Sequence, residues 1–122
     1  MDFEFTKNIF LGGYKATFPM EHLLMGRLLE DELAQDRTKI EQILAIAEQA
    51  KLQSIDELIW HGIELTVVFQ DYEVQVTENA VYQEIETDLG EDLSLYDGES
   101  YASCGLEDFV ELITKWREFI KQ

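Results

Sequence analysis

Ile63-Glu64-Leu65-Thr66-Val67-Val68-Phe69-Gln70-Asp71-Tyr72-Glu73-Val74-Gln75-Val76-Thr77 alternates twice, from Ile63 to Phe69 and again from Tyr72 to Val76. A period of two is the pattern of a strand with one covered face. Two such runs joined at Gln70-Asp71 predict a β-hairpin with Ile63, Leu65, Val67, Phe69, Tyr72, Val74 and Val76 on its apolar side. A lone two-stranded hairpin is marginal in water, so the rest of the chain has to supply a layer that covers this face.

Working outward from the hairpin, Ser54 to Trp60 fits either a short helix capped by Ser54 and Glu57 or the approach to a strand. Before it, Thr38 and Glu41 form a capping box, with Asp36 as a competing cap. Ile40, Ile43, Leu44, Ala47 and Ala50 then make one stripe on a helix reaching about Leu52. Leu24, Leu28, Leu29 and Leu33 predict an earlier helix over 21–34, which Gly26 weakens by up to about 1 kcal/mol. No Gly or Pro separates the two, so one bent helix is an alternative. Nearer the amino terminus, Phe3 and Phe5, then Tyr14, Ala16, Phe18 and Met20, alternate around Gly12-Gly13 and predict a second hairpin. Pro19 ends its second strand or confines it to an edge.

On the other side, Asn79 can cap a helix carrying Val81, Tyr82, Ile85 and Leu89, or the strand can run on through Val81 and Ile85. Glu91 to Ser103 reads as an acidic loop. Leu106, Phe109, Val110, Ile113, Trp116 and Ile120 predict a closing helix, with Glu107 and Asp108 in its first turn and Lys115, Arg117 and Lys121 near its end. That charge order complements the helix dipole. The fold class expected is α+β: one domain over residues 1–122, with a small antiparallel sheet from two hairpins and helices packed on one face.

Charge is distributed unevenly. The net charge is −17, and the stretch from Leu52 to Thr114 holds sixteen Asp and Glu without a single Lys or Arg. Phosphate binding needs Lys and Arg to displace counterions, so direct nucleic-acid binding is not expected. Steering towards a basic protein is easy at this charge, though only over a Debye length of about 8 Å. No apolar run reaches the roughly 18 residues of a membrane span. Met1-Asp2-Phe3-Glu4 lacks the start of a signal peptide, and the single Cys104 has no disulfide partner in the chain, so a reduced cytoplasmic protein is expected.

The start Met1-Asp2-Phe3-Glu4-Phe5, the hairpin from Gly62 to Asn79, and the run from Asp97-Gly98-Glu99-Ser100 through Cys104-Gly105-Leu106-Glu107-Asp108-Phe109 resemble the YacL family of small acidic gammaproteobacterial proteins. The resemblance spans most of the chain in the same order and is looser across the first helix, which begins Glu21-His22-Leu23. It implies a bacterial cytoplasmic origin and brings no activity, cofactor or catalytic residue.

Few residues offer chemistry. Cys104 stands before a helix start, where a thiol can become reactive, but a catalytic cysteine needs a base and only His22 and His61 exist. Three such residues far apart give no zinc spacing. Asp88, Asp92 and Glu99 fall at positions 1, 5 and 12 of a calcium-loop window, but Gly90 and Leu93 stand at positions 3 and 6, and the motif fails. No phosphate loop, dinucleotide fingerprint or nucleophile elbow is present. The expectation is a protein without catalytic activity or cofactor that binds a basic protein, ribosomal or nucleic-acid-binding. Glu84, Glu86, Asp88, Glu91, Asp92, Asp97 and Glu99 are the expected contact surface. The alternative is a small-ligand or divalent-metal activity around His61, Cys104 and the acidic connector.

Overall fold

The computed structural model describes residues 2–7, 10, 13–52, 57–80 and 101–121. In chain order the elements are β1 (Glu4–Lys7), β2 (Tyr14–Thr17), a 3-10 turn (Met20–His22) and α1 (Leu23–Arg27), which runs on as a π-helix (Leu28–Leu33). Then come α2 (Arg37–Leu52), β3 (Leu58–His61), β4 (Leu65–Gln70), β5 (Glu73–Glu78), β6 (Tyr101–Gly105) and α3 (Leu106–Ile120). The fold is α+β with small antiparallel sheets and helices packed against them. β1 and β2 pair as one two-stranded sheet, and β3-β4-β5-β6 form a separate four-stranded sheet, antiparallel throughout.

The register of the larger sheet gathers Leu58, Trp60, Leu65, Val67, Phe69, Val74, Val76, Ala102 and Cys104 on one face. Leu65, Val67, Phe69, Val74 and Val76 are buried there, as the alternation predicts. Two hairpin residues depart from it. Ile63 is 80% exposed and Tyr72 is 57% exposed, because the strands begin at Leu65 and Glu73 and the turn is Asp71-Tyr72, one residue later than expected. Thr66, Val68 and Thr77, read as the open face, are buried too. A near-continuous Leu65–Phe69 run is what a strand covered on both sides requires. Of the Ser54 to Trp60 stretch, Leu58 to Trp60 lie in strand β3, and Ser54 to Asp56 fall outside the described residues. Tyr101 to Ser103, expected in a loop, open β6 instead, since their partners Thr77, Val76 and Gln75 on β5 offer a ladder.

The first two helices are separate. Leu24, Met25, Leu28, Leu29 and Leu33 are all fully buried, along with Glu32. Their spacing of about four residues exceeds the 3.6 of an α-helix, which would rotate the stripe off the core. The wider π turn absorbs that drift. Ala34, at φ 44, then breaks the helix, and its carbonyl accepts the Trp116 indole N–H at 2.9 Å. Asp36, not Thr38, caps α2: its side chain accepts the Lys39 N–H at 3.2 Å, and its carbonyl accepts the Ile40 N–H.

α3 buries Leu106, Phe109, Leu112, Ile113 and Trp116. At about 1.5–3 kcal/mol per buried side chain, this helix contributes as much to the core as any element. Its far end holds the first hairpin through an aromatic cluster. Phe5 stacks edge-on to Trp116 at 5.2 Å, and Tyr14 meets Phe119 at 5.4 Å. The helix expected from Asn79 lies, beyond Ala80, outside the described residues.

Candidate acidic docking surface

One end of the four-stranded sheet collects acids of the base-free stretch. Glu73 opens β5 directly opposite Gly105, and the Leu106 N–H donates to the Tyr72 carbonyl at 2.8 Å. This bond ties the β4–β5 turn to the start of α3, where Glu107 and Asp108 occupy the first turn. Asp71, Glu73, Glu107 and Asp108 are all exposed. None of the four forms an ion pair among the described residues. Glu64, Glu78 and Glu111 differ: the first two are held by Arg27 and the third by Lys115.

Beside these acids lies a cleft of about 510 Å³ lined by Lys51, Tyr72, Gly105, Leu106, Glu107 and Asp108. Leu52 stands 87% exposed next to Lys51, whose ammonium is engaged by Glu48 at 3.5 Å. The turn holds Asp71 at φ 53 and Tyr72 at φ 61, left-handed values at both central positions. Such turns favour Asn-Gly or Asp-Gly, because a side chain at positive φ is crowded. An aromatic residue kept in that conformation and turned to solvent among carboxylates has the chemistry to meet a cation: its ring face attracts Lys or Arg, and the acids hold the charge.

The expected site residues divide differently. Glu84, Glu86, Asp88, Glu91, Asp92, Asp97 and Glu99 all lie outside the described residues. His61 and Cys104 are not brought together. They sit on the outermost strands β3 and β6, with β4 and β5 between them, about 14 Å by strand spacing. The register also turns them to opposite faces, since Cys104 shares the core side with Val74 while His61 pairs with Thr66. Among the described residues no group of three or more His, Cys, Asp or Glu is placed to hold a metal ion, and no helix is long and apolar enough to cross a membrane. His22, the other candidate base, is half-buried and bonds through Nε2 to the Ser103 carbonyl at 3.1 Å.

Burial pushes the Cys104 thiol up to about 12, with Asp108 and Glu73 adding in the same direction. The helix start does not activate it, because two carboxylates and the core outweigh the dipole. Between the unfolded thiol's pKa of about 8.5 and about 12, the native state keeps a proton that the unfolded chain has released. Stability due to this group is therefore complete below about pH 8.5 and is lost as pH rises towards 12. Urea unfolding between pH 7 and 10.5 is expected to show a steeper loss for the native chain than for Cys104→Ala. Equal slopes would mean that the thiol ionises as easily folded as unfolded.

Two residues carry no clear signal in the sequence. Period alone turns Tyr72 inward, whereas it is 57% exposed. Glu32 is 4% exposed and accepts backbone N–H groups from Ile63 at 3.1 Å, from Leu65 at 2.8 Å and from Glu64. The available signal was its place: an acid four residues after Leu28, in register with an apolar stripe.

A model of the uncharacterised protein family UPF0231 matches residues 1–120. A UPF0231 protein of Vibrio cholerae serotype O1 is 43% identical over 121 residues, covering 99% of this chain and 96% of its own length. One from Vibrio vulnificus is 38% identical over 122 residues and covers 100% of both chains. A third, from Shewanella sp. strain ANA-3, is 36% identical over 122 residues, with 100% and 98% covered. No solved structure matches.

Proposed function

Since this chain belongs to the uncharacterised protein family UPF0231, its function has to come from its own chemistry, and we propose that it is a non-enzymatic acidic protein that binds a basic protein partner. One observation carries the reading: sixteen acids and no Lys or Arg from Leu52 to Thr114. Solubility needs net charge, but mixed signs serve a surface well, and a long segment cleared of bases has no such purpose. The end of the sheet with Asp71, Glu73, Glu107, Asp108 and exposed Tyr72 supports the reading, because it joins negative charge to an aromatic face. The partner supplies a Lys- and Arg-rich segment, as ribosomal and nucleic-acid-binding proteins do. A cytoplasmic location and kinship with the YacL-like proteins belong to the same proposal.

The test is capture of partners from a gammaproteobacterial lysate, followed by rate measurements with the partner obtained. Association is expected to slow steeply as salt rises while dissociation changes less, the mark of electrostatic steering. Joint Asp71→Lys and Glu73→Lys reversal is expected to reduce the association rate about tenfold at low salt. A parallel Asp88→Lys, Asp92→Lys, Glu99→Lys variant reports on the acids beyond the described residues. If neither variant changes capture, the charge serves solubility alone.

A further inference from the structure

A second cleft, of about 450 Å³, lies between β2 and α1, well within the range of small-molecule sites. Its apolar floor is Ala16, Phe18 and Leu23, and its charged lining is Lys15, Arg27 and Glu30. Gly26 lets helix and strand approach here: a methyl group in its place would stand 3.2 Å from the Ala16 carbonyl oxygen and 3.3 Å from the Phe18 ring.

The three charges are not equivalent. Arg27 bridges Glu64 and Glu78, at 3.3 Å each, so its charge is already answered. Lys15 and Glu30 lie within electrostatic reach of each other without closing into an ion pair. Glu30 is drawn partly into the protein, and burial raises its pKa while a backbone hydrogen bond from Ala16 works the other way. The cleft is therefore lined by one lysine and one glutamate that do not pair with each other, alongside the apolar Ala16, Phe18 and Leu23. A simple anion would face Glu30, and a simple cation would face Lys15. A molecule with both charges at one end and an apolar body satisfies each group.

We propose that this cleft binds a free α-amino acid with an apolar side chain, its carboxylate towards Lys15 and its ammonium towards Glu30. This site is separate from the acidic end of the sheet and does not depend on the partner reading.

The experiment titrates the labelled chain with L-phenylalanine, 3-phenylpropionate and phenethylamine, which share a ring and differ only in charge, and follows backbone amide resonances. Saturable shifts are expected for L-phenylalanine at residues 15–18 and 23–30. Each single-charge analogue is expected to bind about tenfold more weakly. Lys15→Ala and Glu30→Gln are each expected to weaken L-phenylalanine by a similar factor, with the fold checked by circular dichroism. Lys15 lies on a strand at an exposed position, so its variant remains informative if Glu30→Gln unfolds. Absence of shifts, shifts centred outside these residues, or equal binding of either analogue would overturn the assignment.

Discussion

Replacing Glu32 with Ala is expected to lower the unfolding free energy by about 3–5 kcal/mol, which for a domain of this size is a large share of the total. The side chain is buried where an apolar residue would ordinarily sit, and it accepts N–H groups from three successive residues, Ile63, Glu64 and Leu65. Removing it leaves the buried Leu65 N–H without its acceptor and strips the Ile63 and Glu64 N–H groups, at the edge of the surface, of theirs. Asn79 holds the same loop from the other side, through Nδ2 to the Gly62 carbonyl at 3.2 Å and the Ile63 carbonyl at 2.9 Å. Gly62 is part of the same device: a Cβ there would stand 2.6 Å from Glu32 Oε2 and 2.8 Å from the Trp60 ring. Gly62→Ala alone is therefore destabilising by about 1–3 kcal/mol. Its cost is expected to shrink in the Glu32→Ala background, where half of the clash is gone, and a double-mutant cycle in urea reads that coupling. Additive costs would show that the carboxylate and the glycine do not share one site.

Trp116→Ala is expected to cost about 3–5 kcal/mol, the range for a large aromatic removed from a core. The ring is 1% exposed and meets Phe5, Tyr14 and Phe119. Trp116→Phe separates packing from hydrogen bonding. It keeps most of the ring but strands the Ala34 carbonyl, which the indole N–H serves at 2.9 Å, so a loss of about 1–2 kcal/mol is expected. Thermal and urea unfolding measure both. If Trp116→Phe cost as much as Trp116→Ala, the hydrogen bond at the helix break would outweigh the aromatic cluster.

The hairpin and the closing helix were legible because their apolar residues repeat with a clean period and face one layer. The π-helix was not. Leu24, Leu28, Leu29 and Leu33 fit an ordinary helix well enough, and the difference between four and 3.6 residues per turn is too small to notice over two turns. The turn slipped by one residue because Asp71-Tyr72 lacks the glycine that marks a type I′ turn, and period alone put Tyr72 inward. Tyr101-Ala102-Ser103 is short and half-polar, so its sequence reads as loop. Only its partner β5 makes it a strand, and that pairing is non-local. For the docking surface, the charge imbalance was readable by counting, but which acids share an end of the sheet depends on the register of Glu73 with Gly105. That His61 and Cys104 stand on opposite edge strands follows from strand order, which no spacing in one dimension encodes.

The aromatic cluster between the first hairpin and α3 also governs when this protein becomes one object during synthesis. Phe5 and Tyr14 are covered by Trp116 and Phe119, and the Tyr14 hydroxyl reaches the Ile120 carbonyl across 106 positions of sequence. A ribosome adds roughly 5–20 residues per second, so the earliest residues wait some seconds for the helix that shelters them. In that interval Phe3, Phe5 and Tyr14 are open to other chains, and contacts of such long range are slow to close. A chain interrupted before residue 106 lacks Trp116 and Phe119 and never covers that first hairpin. Such products are expected to be recognised by chaperones and proteases through their amino-terminal aromatic residues.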